Sequence, residues 1–365
     1  MAVVAAAVAA AAAAAVVAVT DIICSNANRL LLQFHITGKC NLRCKHCYRT
    51  EGDTESLTYQ DIINIIEQYK TLLHRYNKAN GIKRRGHINI TGGEPFMRKD
   101  IKAILSYMGA NRHLFSYGIL SNGSFIDESI ISLLKETGVS FIQLSLDGDR
   151  KTHDFLRKDG DYDRVLETAK NLEKSGIKTY ISFTANKENY KYLPLVAKEC
   201  RKRKITKLWS DRIVPIGTGE ELDGLKITPD ILPDYLKTLK KAGGNFITKL
   251  FYPKTVVTMN RALQFMKGGN MYTCSAGKSL ITVDEFGNIM PCRRMPIIAG
   301  NIRENTLEEV YFENVTFLSL RKDCFPKECN DCLYKYHCRG GAKCQSYAEY
   351  GSFRRADPGC NLKLF

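Results

Sequence analysis

The sequence lacks the usual features of a secreted or membrane-spanning protein. Its one long apolar run, residues 1–19, contains only alanine and valine after Met1. A secretory signal carries basic residues before its apolar stretch, and membrane spans carry larger apolar side chains, so neither class fits this run. We interpret residues 1–20 as an alanine- and valine-rich low-complexity segment and leave them out of functional reasoning.

Signs of nucleic-acid binding are also missing, although the chain is basic. Lysine and arginine number 54 against 38 aspartates and glutamates, a formal net charge of +16. Such an excess suits nucleic acid, an acidic membrane surface or acidic ligands. However, there is no helix-turn-helix signature, no zinc-finger spacing and no basic tail with interleaved aromatic residues. We therefore expect neither nucleic acid nor a membrane as a partner.

The cysteines are the most informative residues that are present. The chain has 365 residues, of which 44% are apolar and 25% charged, so we expect about two folded domains. Thirteen cysteines, an odd number, crowd mainly into two regions, Cys40 to Cys47 and Cys274 to Cys360. Without a secretory signal, this pattern favours metal ligation in a reducing cytoplasm over disulfides.

Short apolar runs alternate with amphipathic segments from Leu30 onward, which predicts six βα units around a parallel sheet. The predicted strands are Leu30–Thr37, His87–Thr91, Tyr117–Ser121, Phe141–Leu146, Lys178–Thr184 and Lys207–Val214. The predicted helices are Thr58–Tyr76, Lys99–Asn111, Asp127–Thr137, Tyr162–Ser175 and Leu193–Lys204, two of them ending at Gly138 and Gly176. We expect an α/β fold with a partial (β/α)6 TIM barrel; an open doubly wound sheet is the alternative.

The predicted domains follow from where this alternation stops. Residues 21–228 form the partial barrel, and residues 229–270, which contain two helical segments, form a linker. Residues 271–365 form a cysteine-rich domain with one β-hairpin at Leu280–Pro291. We expect ligands, more than an apolar core, to hold this second domain together.

The first cysteine group follows the first predicted strand. Cys40, Cys44 and Cys47 have the spacing C-x3-C-x2-C, so a curled loop could bring all three thiolates to one cluster. Three thiolates on a four-iron cluster leave one iron open to bind another ligand. A zinc knuckle completed by the neighbouring His46 is the alternative on spacing alone.

The motif Thr91-Gly92-Gly93-Glu94-Pro95 follows the second predicted strand. With C-x3-C-x2-C after the first strand, the sequence resembles the radical S-adenosylmethionine (radical SAM) family. The resemblance implies a [4Fe–4S] cluster on Cys40, Cys44 and Cys47 whose open iron binds the amino and carboxylate groups of SAM. It also implies that the backbone at Gly92 and Gly93 approaches the SAM amino group, with the carboxylate of Glu94 nearby.

Later residues match further SAM contacts of that family. The resemblance assigns SAM binding to Ser121, Asn122, Ser145, Asp147 and Thr184, the SAM carboxylate to Arg157, the adenine to His46 and a catalytic role to Arg212. Arg157 suits a carboxylate because its guanidinium is planar and can donate two parallel hydrogen bonds. The alternatives are a solvated surface position for Arg157, a plain barrel position for Thr184 and a structural Asp211–Arg212 pair.

The second cysteine group is similar to the SPASM extension of that family. The resemblance implies one auxiliary cluster on Cys274, Cys292 and Cys344, and a second on Cys329, Cys332, Cys338 and Cys360, giving three [4Fe–4S] clusters in all. Five residues separate Cys338 from Cys344 where the family has three. The fourth ligand of the first auxiliary cluster is either Cys324 or an open site. Cys24 and Cys200 match no motif and are interpreted as inert apolar residues.

The resemblance implies a peptide-modifying maturase of the radical SAM and SPASM type. Such an enzyme cleaves SAM reductively to a 5′-deoxyadenosyl radical, which abstracts a substrate hydrogen, and we expect a thioether or other crosslink to follow in a ribosomally made peptide. Arg293 stands where sulfatase-maturing relatives carry an aspartate, which disfavours formylglycine formation. The alternatives are a peptide epimerase, an enzyme of tetrapyrrole or redox-cofactor biosynthesis, and an electron-carrying iron–sulfur protein.

The expected partners follow from the same resemblance. Arg293, Arg294 and Arg303 suit an acidic peptide, and a cysteine in that peptide would supply a thioether sulfur. A flavodoxin or ferredoxin is the expected electron donor. Many peptide maturases carry a leader-binding domain before the barrel, whereas only some twenty residues precede the first strand here, so we expect a separate leader-recognition protein or another surface.

Overall fold

The sheet is the central feature of the computed structural model, which describes residues 29–49, 56–322, 325–360 and 362. Six parallel strands pair in chain order, close to the predicted positions. They are β1 (Leu31–His35), β2 (Gly86–Thr91), β3 (Phe115–Leu120), β4 (Ile142–Ser145), β5 (Thr179–Ala185) and β6 (Lys207–Arg212). The low-complexity segment 1–20, Cys24 and Cys324 lie outside the described residues.

Helices connect these strands. They are α1 (Tyr59–Ala79), α2 (Ile101–Ala110), α3 (Glu128–Glu136), α4 (Arg150–Leu156), α5 (Asp161–Lys174) and α6 (Leu193–Lys202). The hydroxyl of Thr58 and the carboxylate of Asp61 form a capping box that starts α1. Gly138 and Gly176 follow α3 and α5 with φ of +72° and +83°, which confirms the predicted glycine helix ends. Helix α4, which carries His153, was missed from the sequence.

The sheet extends beyond the six predicted strands at both edges. β7 (Val256–Thr258) pairs in parallel with β6, and β8 (Leu280–Val283) pairs in parallel with β1. β9 (Asn288–Met290) then runs antiparallel to β8, which confirms the predicted hairpin, and β10 (Gly300–Asn301) follows β9. β10 and β7 are the two ends of the sheet as described, so it is a partial barrel that does not close.

The pairing of β8 with β1 carries the sheet across the domain boundary predicted between residues 270 and 271. Leu280 lies opposite Leu31, and Thr282 lies opposite Gln33. The second domain is therefore fixed to the barrel by backbone hydrogen bonds. The linker contains the helices α7 (Leu232–Ala242) and α8 (Phe246–Phe251). The second domain contains α9 (Leu307–Glu313), α10 (Val315–Arg321), α11 (Lys335–Cys338) and α12 (Lys343–Tyr350). Of the helices described, none is both long enough and apolar enough to cross a membrane.

His87 marks the end of the barrel opposite the loops that follow the strands. It lies near the start of β2, where its Nδ1 is 2.6 Å from Ser116 Oγ and its Nε2 is 3.0 Å from Asn89 Oδ1. Its ring stacks on Phe141, with the ring centroids 5.6 Å apart. Burial, together with the positive charge of Arg29, lowers the pKa of His87 to about 4.

This lowered pKa predicts an acid sensitivity. In the unfolded chain His87 binds a proton near its ordinary pKa of about 6.5, whereas the folded protein resists protonation down to about 4. Above about pH 6.5 His87 is neutral in both states, and the folded protein keeps its full stability. As the pH falls toward 4, only the unfolded chain takes up the proton, so the free energy of unfolding falls by roughly 3 kcal/mol at most. The free energy of unfolding, measured with urea, should fall less between about pH 7 and about pH 5 for His87→Gln than for wild type.

The matched control is His113→Gln, because His113 is exposed. An equal loss of stability in wild type and His87→Gln would contradict this account.

Candidate active site between the two cysteine groups

A cavity of about 510 Å³ opens where the parallel strands end. Its wall includes cysteines from both sequence groups, namely Cys40, Cys44, Cys47, Cys274, Cys292 and Cys344. Other predicted site residues also line it: His46, Gly92, Gly93, Ser121, Asn122, Ser145, Arg157, Thr184 and Arg212. Glu94 and Asp147 stand behind this wall and are fully buried. The structure thus brings residues from six strands and from the cysteine-rich domain to one cavity.

The loop that carries Cys40, Cys44 and Cys47 is held by backbone hydrogen bonds. Gly93 N donates to Thr37 O at 2.8 Å, and Glu94 N donates to Lys39 O at 2.7 Å. On the other side, Gly219 N donates to Cys47 O at 2.9 Å. A Cβ on Gly92 would overlap the carbonyl of Thr37, and one on Gly93 would overlap that of Lys39. The two glycines therefore also allow the second loop to pack against the cysteine loop.

Two thiols of this loop, those of Cys40 and Cys44, are poor acids by themselves. Burial raises the pKa of Cys44 to about 11, although Arg157 opposes the rise and donates to Cys44 Sγ at 3.6 Å. Burial also raises the pKa of Cys40. Thiolates here therefore need a bound cation, as metal ligation supplies.

Glu94 is buried behind the cavity and binds the loop after β3. Its Oε1 accepts from Ser121 Oγ at 2.8 Å and from Phe96 N at 3.2 Å, and its Oε2 accepts from Asn122 N at 2.7 Å. Burial raises the pKa of Glu94 to about 7. Its observed contacts are with protein atoms, so Glu94 fixes Ser121 and Asn122 at the cavity wall.

Asp147 and Arg157 form a buried ion pair beside the first cysteine loop. Arg157 Nε donates to Asp147 Oδ2 at 2.7 Å, and Thr184 N donates to Asp147 Oδ1 at 2.8 Å. Burial opposes ionisation of Asp147, but the Arg157 guanidinium outweighs it and holds the pKa of that carboxyl well below its usual range. His46 Nε2 lies 3.2 Å from Arg157 Nη2. The predicted SAM contacts Asp147, Arg157, Thr184 and His46 thus form one connected group.

The second cysteine group divides into two sets. Cys344 on α12 lies beside Cys292 and Cys274, and burial raises its pKa to about 12. Cys338 lies beside Cys360 and Cys329, away from the cavity wall, and burial likewise raises its pKa to about 12. The structure thus brings Cys274, Cys292 and Cys344 together, and Cys329, Cys338 and Cys360 together, while the full ligand sets, with Cys332 in the second, stay a prediction.

The donor sets fit iron–sulfur clusters better than single metal ions. Among the residues that the structure describes, no group of three or more His, Cys, Asp or Glu side chains has the close arrangement that one ion needs. A four-iron cluster spreads its thiolate ligands more widely than a zinc ion does. Partly buried thiols line the cavity wall, and beside them Gly92 and Gly93 pack closely against the backbone of the cysteine loop. This arrangement fits a four-iron cluster.

Comparison with known proteins finds two families. The Radical SAM superfamily model matches residues 34–200, and the SPASM model, an iron-sulfur cluster-binding domain, matches residues 274–333. The chain is a radical SAM protein with a SPASM domain. These two domains imply iron–sulfur clusters and SAM as cofactors.

Curated relatives have two kinds of activity. Fe-coproporphyrin III synthase of Methanosarcina barkeri is 25% identical over 93% of this chain and 89% of its own length. The mycofactocin maturase of Mycolicibacterium smegmatis is 25% identical over 91% of this chain and 82% of its own length. Both are thus related to this radical SAM enzyme along nearly its whole chain.

Solved structures share its fold. Streptococcus suis SuiB bound to S-adenosylmethionine matches with a TM-score of 0.70 and 20% identity, covering 92% of this chain and 77% of SuiB. The enzyme anSMEcpe with bound AdoMet matches with a TM-score of 0.68 and 18% identity, covering 92% of this chain and 94% of that one.

Arg212 of the radical SAM enzyme makes a contact that the sequence did not predict. Its Nη1 and Nη2 donate to the two carboxylate oxygens of Asp357 at 3.0 and 2.6 Å. Asp357 also accepts from Ala342 N at 3.0 Å and from Gly359 N at 2.9 Å. The pair joins β6 to the segment that carries Cys344 and Cys360. The predicted alternative, an Asp211–Arg212 pair, is not the main contact, because Asp211 pairs with Arg294 at 2.9 Å.

Several cavity residues were missed from the sequence. Gln33, Asn89, Gln143, Trp209 and Thr282 line the cavity from the strands, and Arg261 and Tyr272 line it from the segment after β7. The strand residues alternate with buried apolar ones, as on β1, where Gln33 stands between Leu32 and Phe34. That alternation was a usable signal, because polar side chains on one face of a barrel strand indicate a hydrated interior. Arg261 gave no comparable signal.

Substitution of Asp357 should destabilise the enzyme. Asp357→Asn leaves the buried guanidinium of Arg212 without a counter-charge, so the free energy of unfolding should fall by about 3 kcal/mol or more. Glu349→Gln removes an ion pair with Lys226 at the surface and should cost less than about 1 kcal/mol. Anaerobic urea unfolding measures both. Equal losses for the two variants would show that the Arg212–Asp357 pair does not hold the SPASM domain.

Substitution of Gly93 should disturb the first cysteine loop. The Cβ of Gly93→Ala would overlap the Lys39 carbonyl, so the loop must move, and about four irons should be lost after anaerobic reconstitution. Gly224→Ala is the control, because no atom lies within 4 Å of an added Cβ there. Wild-type iron content in Gly93→Ala would contradict the packing described here.

Proposed function

We propose that this radical SAM enzyme is a peptide maturase that forms a thioether or other crosslink in a ribosomally made peptide. The observation that carries the proposal is the single cavity bounded by Cys40, Cys44 and Cys47 on one side and by Cys274, Cys292 and Cys344 on the other. A substrate in this cavity touches both cluster sites. Hydrogen abstraction at one side and electron removal at the other are the two steps that an oxidative crosslink needs.

Three [4Fe–4S] clusters fit the cysteine sets, and the first would bind SAM and supply the electron for its cleavage to a 5′-deoxyadenosyl radical. The chain's own residues would position SAM and keep water away from the reacting atoms. Gly92 and Gly93 let the backbone approach the SAM methionyl group, and the Asp147–Arg157 pair keeps a guanidinium beside Cys44 for the SAM carboxylate. The barrel wall excludes water from the reacting C–H.

Relatives found by sequence and proteins found by structural similarity both support a peptide substrate. A mycofactocin maturase is among the curated relatives, and SuiB and anSMEcpe have been solved with a precursor peptide and with the Kp18Cys peptide. Arg293 follows Cys292 and lies over the ring of Tyr48, so it offers no carboxylate base at this position. We therefore favour crosslinking over formylglycine formation.

A tetrapyrrole substrate is the second candidate. Fe-coproporphyrin III synthase and AdoMet-dependent heme synthase, both of Methanosarcina barkeri, are related along nearly the whole chain. A peptide epimerase would need a cysteine that donates a hydrogen atom, and the candidate for that role, Cys324, lies outside the described residues. In the peptide proposal, a flavodoxin or ferredoxin supplies electrons in the cytoplasm.

The test begins with SAM cleavage. Reconstituted wild type should release 5′-deoxyadenosine under reducing, anaerobic conditions, and the triple variant Cys40→Ala, Cys44→Ala, Cys47→Ala should release none. Cys200→Ala is the matched control, because Cys200 is buried in α6 outside the cavity. Cleavage by the triple variant at the wild-type rate would overturn the assignment of this loop.

Co-expression with short cysteine-rich or acidic peptides encoded beside the gene then tests the substrate. Each crosslink removes two hydrogens from the peptide, which mass spectrometry detects. Turnover of iron coproporphyrin with no mass change in any peptide would favour the second candidate.

A further inference from the structure

The arginines that line the cavity differ in whether they have a carboxylate partner. Arg157 pairs with Asp147, Arg212 with Asp357 and Arg294 with Asp211, all at 2.9 Å or less. Arg261 has no ion pair and no side-chain hydrogen bond to any residue that the structure describes. The positive charge of Arg261 also acts on the carboxylate of Asp211, but Asp211 forms its ion pair with Arg294.

Trp209 holds the guanidinium of Arg261 in place. The guanidinium carbon lies 4.3 Å from the centroid of the Trp209 ring, and Trp209 Nε1 donates to Gln143 Oε1 at 3.1 Å. A ring on one face of a guanidinium leaves its N–H edge free, and that edge is the part that binds carboxylates. Arg261 Nε is buried without a partner, whereas the terminal nitrogens are not among the buried unpaired atoms.

Other unpaired polar groups line the same cavity. Gln33 Nε2 and Thr282 Oγ1 are buried without a hydrogen-bond partner, and their residues are opposite each other on β1 and β8. Buried polar groups are rarely left unpaired, because an unpaired group has lost its hydrogen bonds to water without gaining others. Unpaired donors and an arginine without an ion pair in one cavity indicate that the cavity takes a ligand rich in acceptor oxygens.

Arg293 is a weaker candidate for the same role. Its guanidinium lies 4.9 Å from the centroid of the Tyr48 ring, and it donates to Tyr48 Oη at 3.4 Å. Arg293 also follows Cys292 directly, and its positive charge acts on that thiol. A Cys292 thiolate that binds a cluster would therefore compensate the charge of Arg293. Arg261 is not among the main charges that act on Cys292 or Cys344.

We propose that Arg261, backed by Trp209, binds a carboxylate of the substrate and makes the enzyme selective for an acidic group near the reacting carbon. The inference rests on the proposed function, because it takes this cavity as the reaction cavity. In a peptide, the group is an aspartate or glutamate side chain. A propionate of a tetrapyrrole has the same chemistry, and the experiment distinguishes the two sources.

The experiment measures binding to the reconstituted enzyme, by anaerobic equilibrium dialysis with excess SAM. The peptide probes are an alternating glutamate–alanine peptide and its glutamine–alanine counterpart. The tetrapyrrole probes are coproporphyrin III and its tetramethyl ester. A charge-assisted bidentate contact should make the acid bind roughly ten- to a hundredfold more tightly than its neutral counterpart.

The variants locate this preference at Arg261. Arg261→Gln should remove it, and Arg261→Lys should keep part of it, because the charge remains while the planar fork is lost. Arg84→Gln is the matched control, since Arg84 is exposed and absent from the cavity wall, and it should retain the wild-type preference. The same preference in Arg261→Gln as in wild type would overturn the inference.

The wild-type enzyme alone also tests the inference, so a variant that fails to fold does not weaken the experiment. Equal binding of acid and neutral probes, with normal release of 5′-deoxyadenosine, overturns the carboxylate site and leaves the proposed function standing. Tight binding of the glutamate peptide without SAM cleavage supports the site and overturns the proposed function. A preference confined to coproporphyrin III supports the site and assigns it to a tetrapyrrole.

Discussion

The parallel pairing of β8 with β1 is the contact on which the rest of the structure depends. β8 runs alongside β1 with Leu280 opposite Leu31, and β9 returns antiparallel to β8, so both ends of this hairpin lie level with the start of β1. Cys274 precedes β8 and Cys292 follows β9, while Cys40 follows β1. Backbone hydrogen bonds between Leu31 and Ser279 and along the register thus hold Cys274 and Cys292 near the start of β1, while Cys40 lies beyond its end, and both cluster sites line one cavity.

Charge pairing then fixes most of the cavity's guanidiniums in place. Arg157, Arg212 and Arg294 each pair with a buried carboxylate, and Arg157 is held in this way beside Cys44, where the proposed function uses it for the SAM carboxylate. Breaking such a pair leaves an uncompensated charge in a poorly solvated place, which makes these contacts rigid. The charges of these three arginines are therefore compensated, whereas Arg261 has no ion pair to any residue that the structure describes.

The sequence was sufficient to predict the parts of this fold that depend on local pattern. Alternating β and α periods located the six strands, and glycines at positive φ located two helix ends, because backbone geometry there depends on neighbouring residues. The cysteine spacings pointed to the radical SAM and SPASM families because ligands to one cluster must lie close in a loop.

Long-range pairings could not be predicted in the same way. Nothing near Leu280 indicates that it pairs with Leu31, and nothing near Asp357 indicates a partner 145 residues away. Arg212 was assigned to catalysis from its strand position, but the structure surrounds it with Asp357; its catalytic role stays a prediction. The stacking of Arg261 on Trp209 likewise depends on how β6 and the segment after β7 pack.

The central claim is that SAM binds to one of several clusters around a shared cavity. Electron paramagnetic resonance of the reduced, reconstituted protein tests it most directly, with spectra recorded before and after addition of SAM. The account predicts signals from more than one cluster, of which SAM changes one and leaves the others as they were. A spectrum that SAM does not alter would contradict the account.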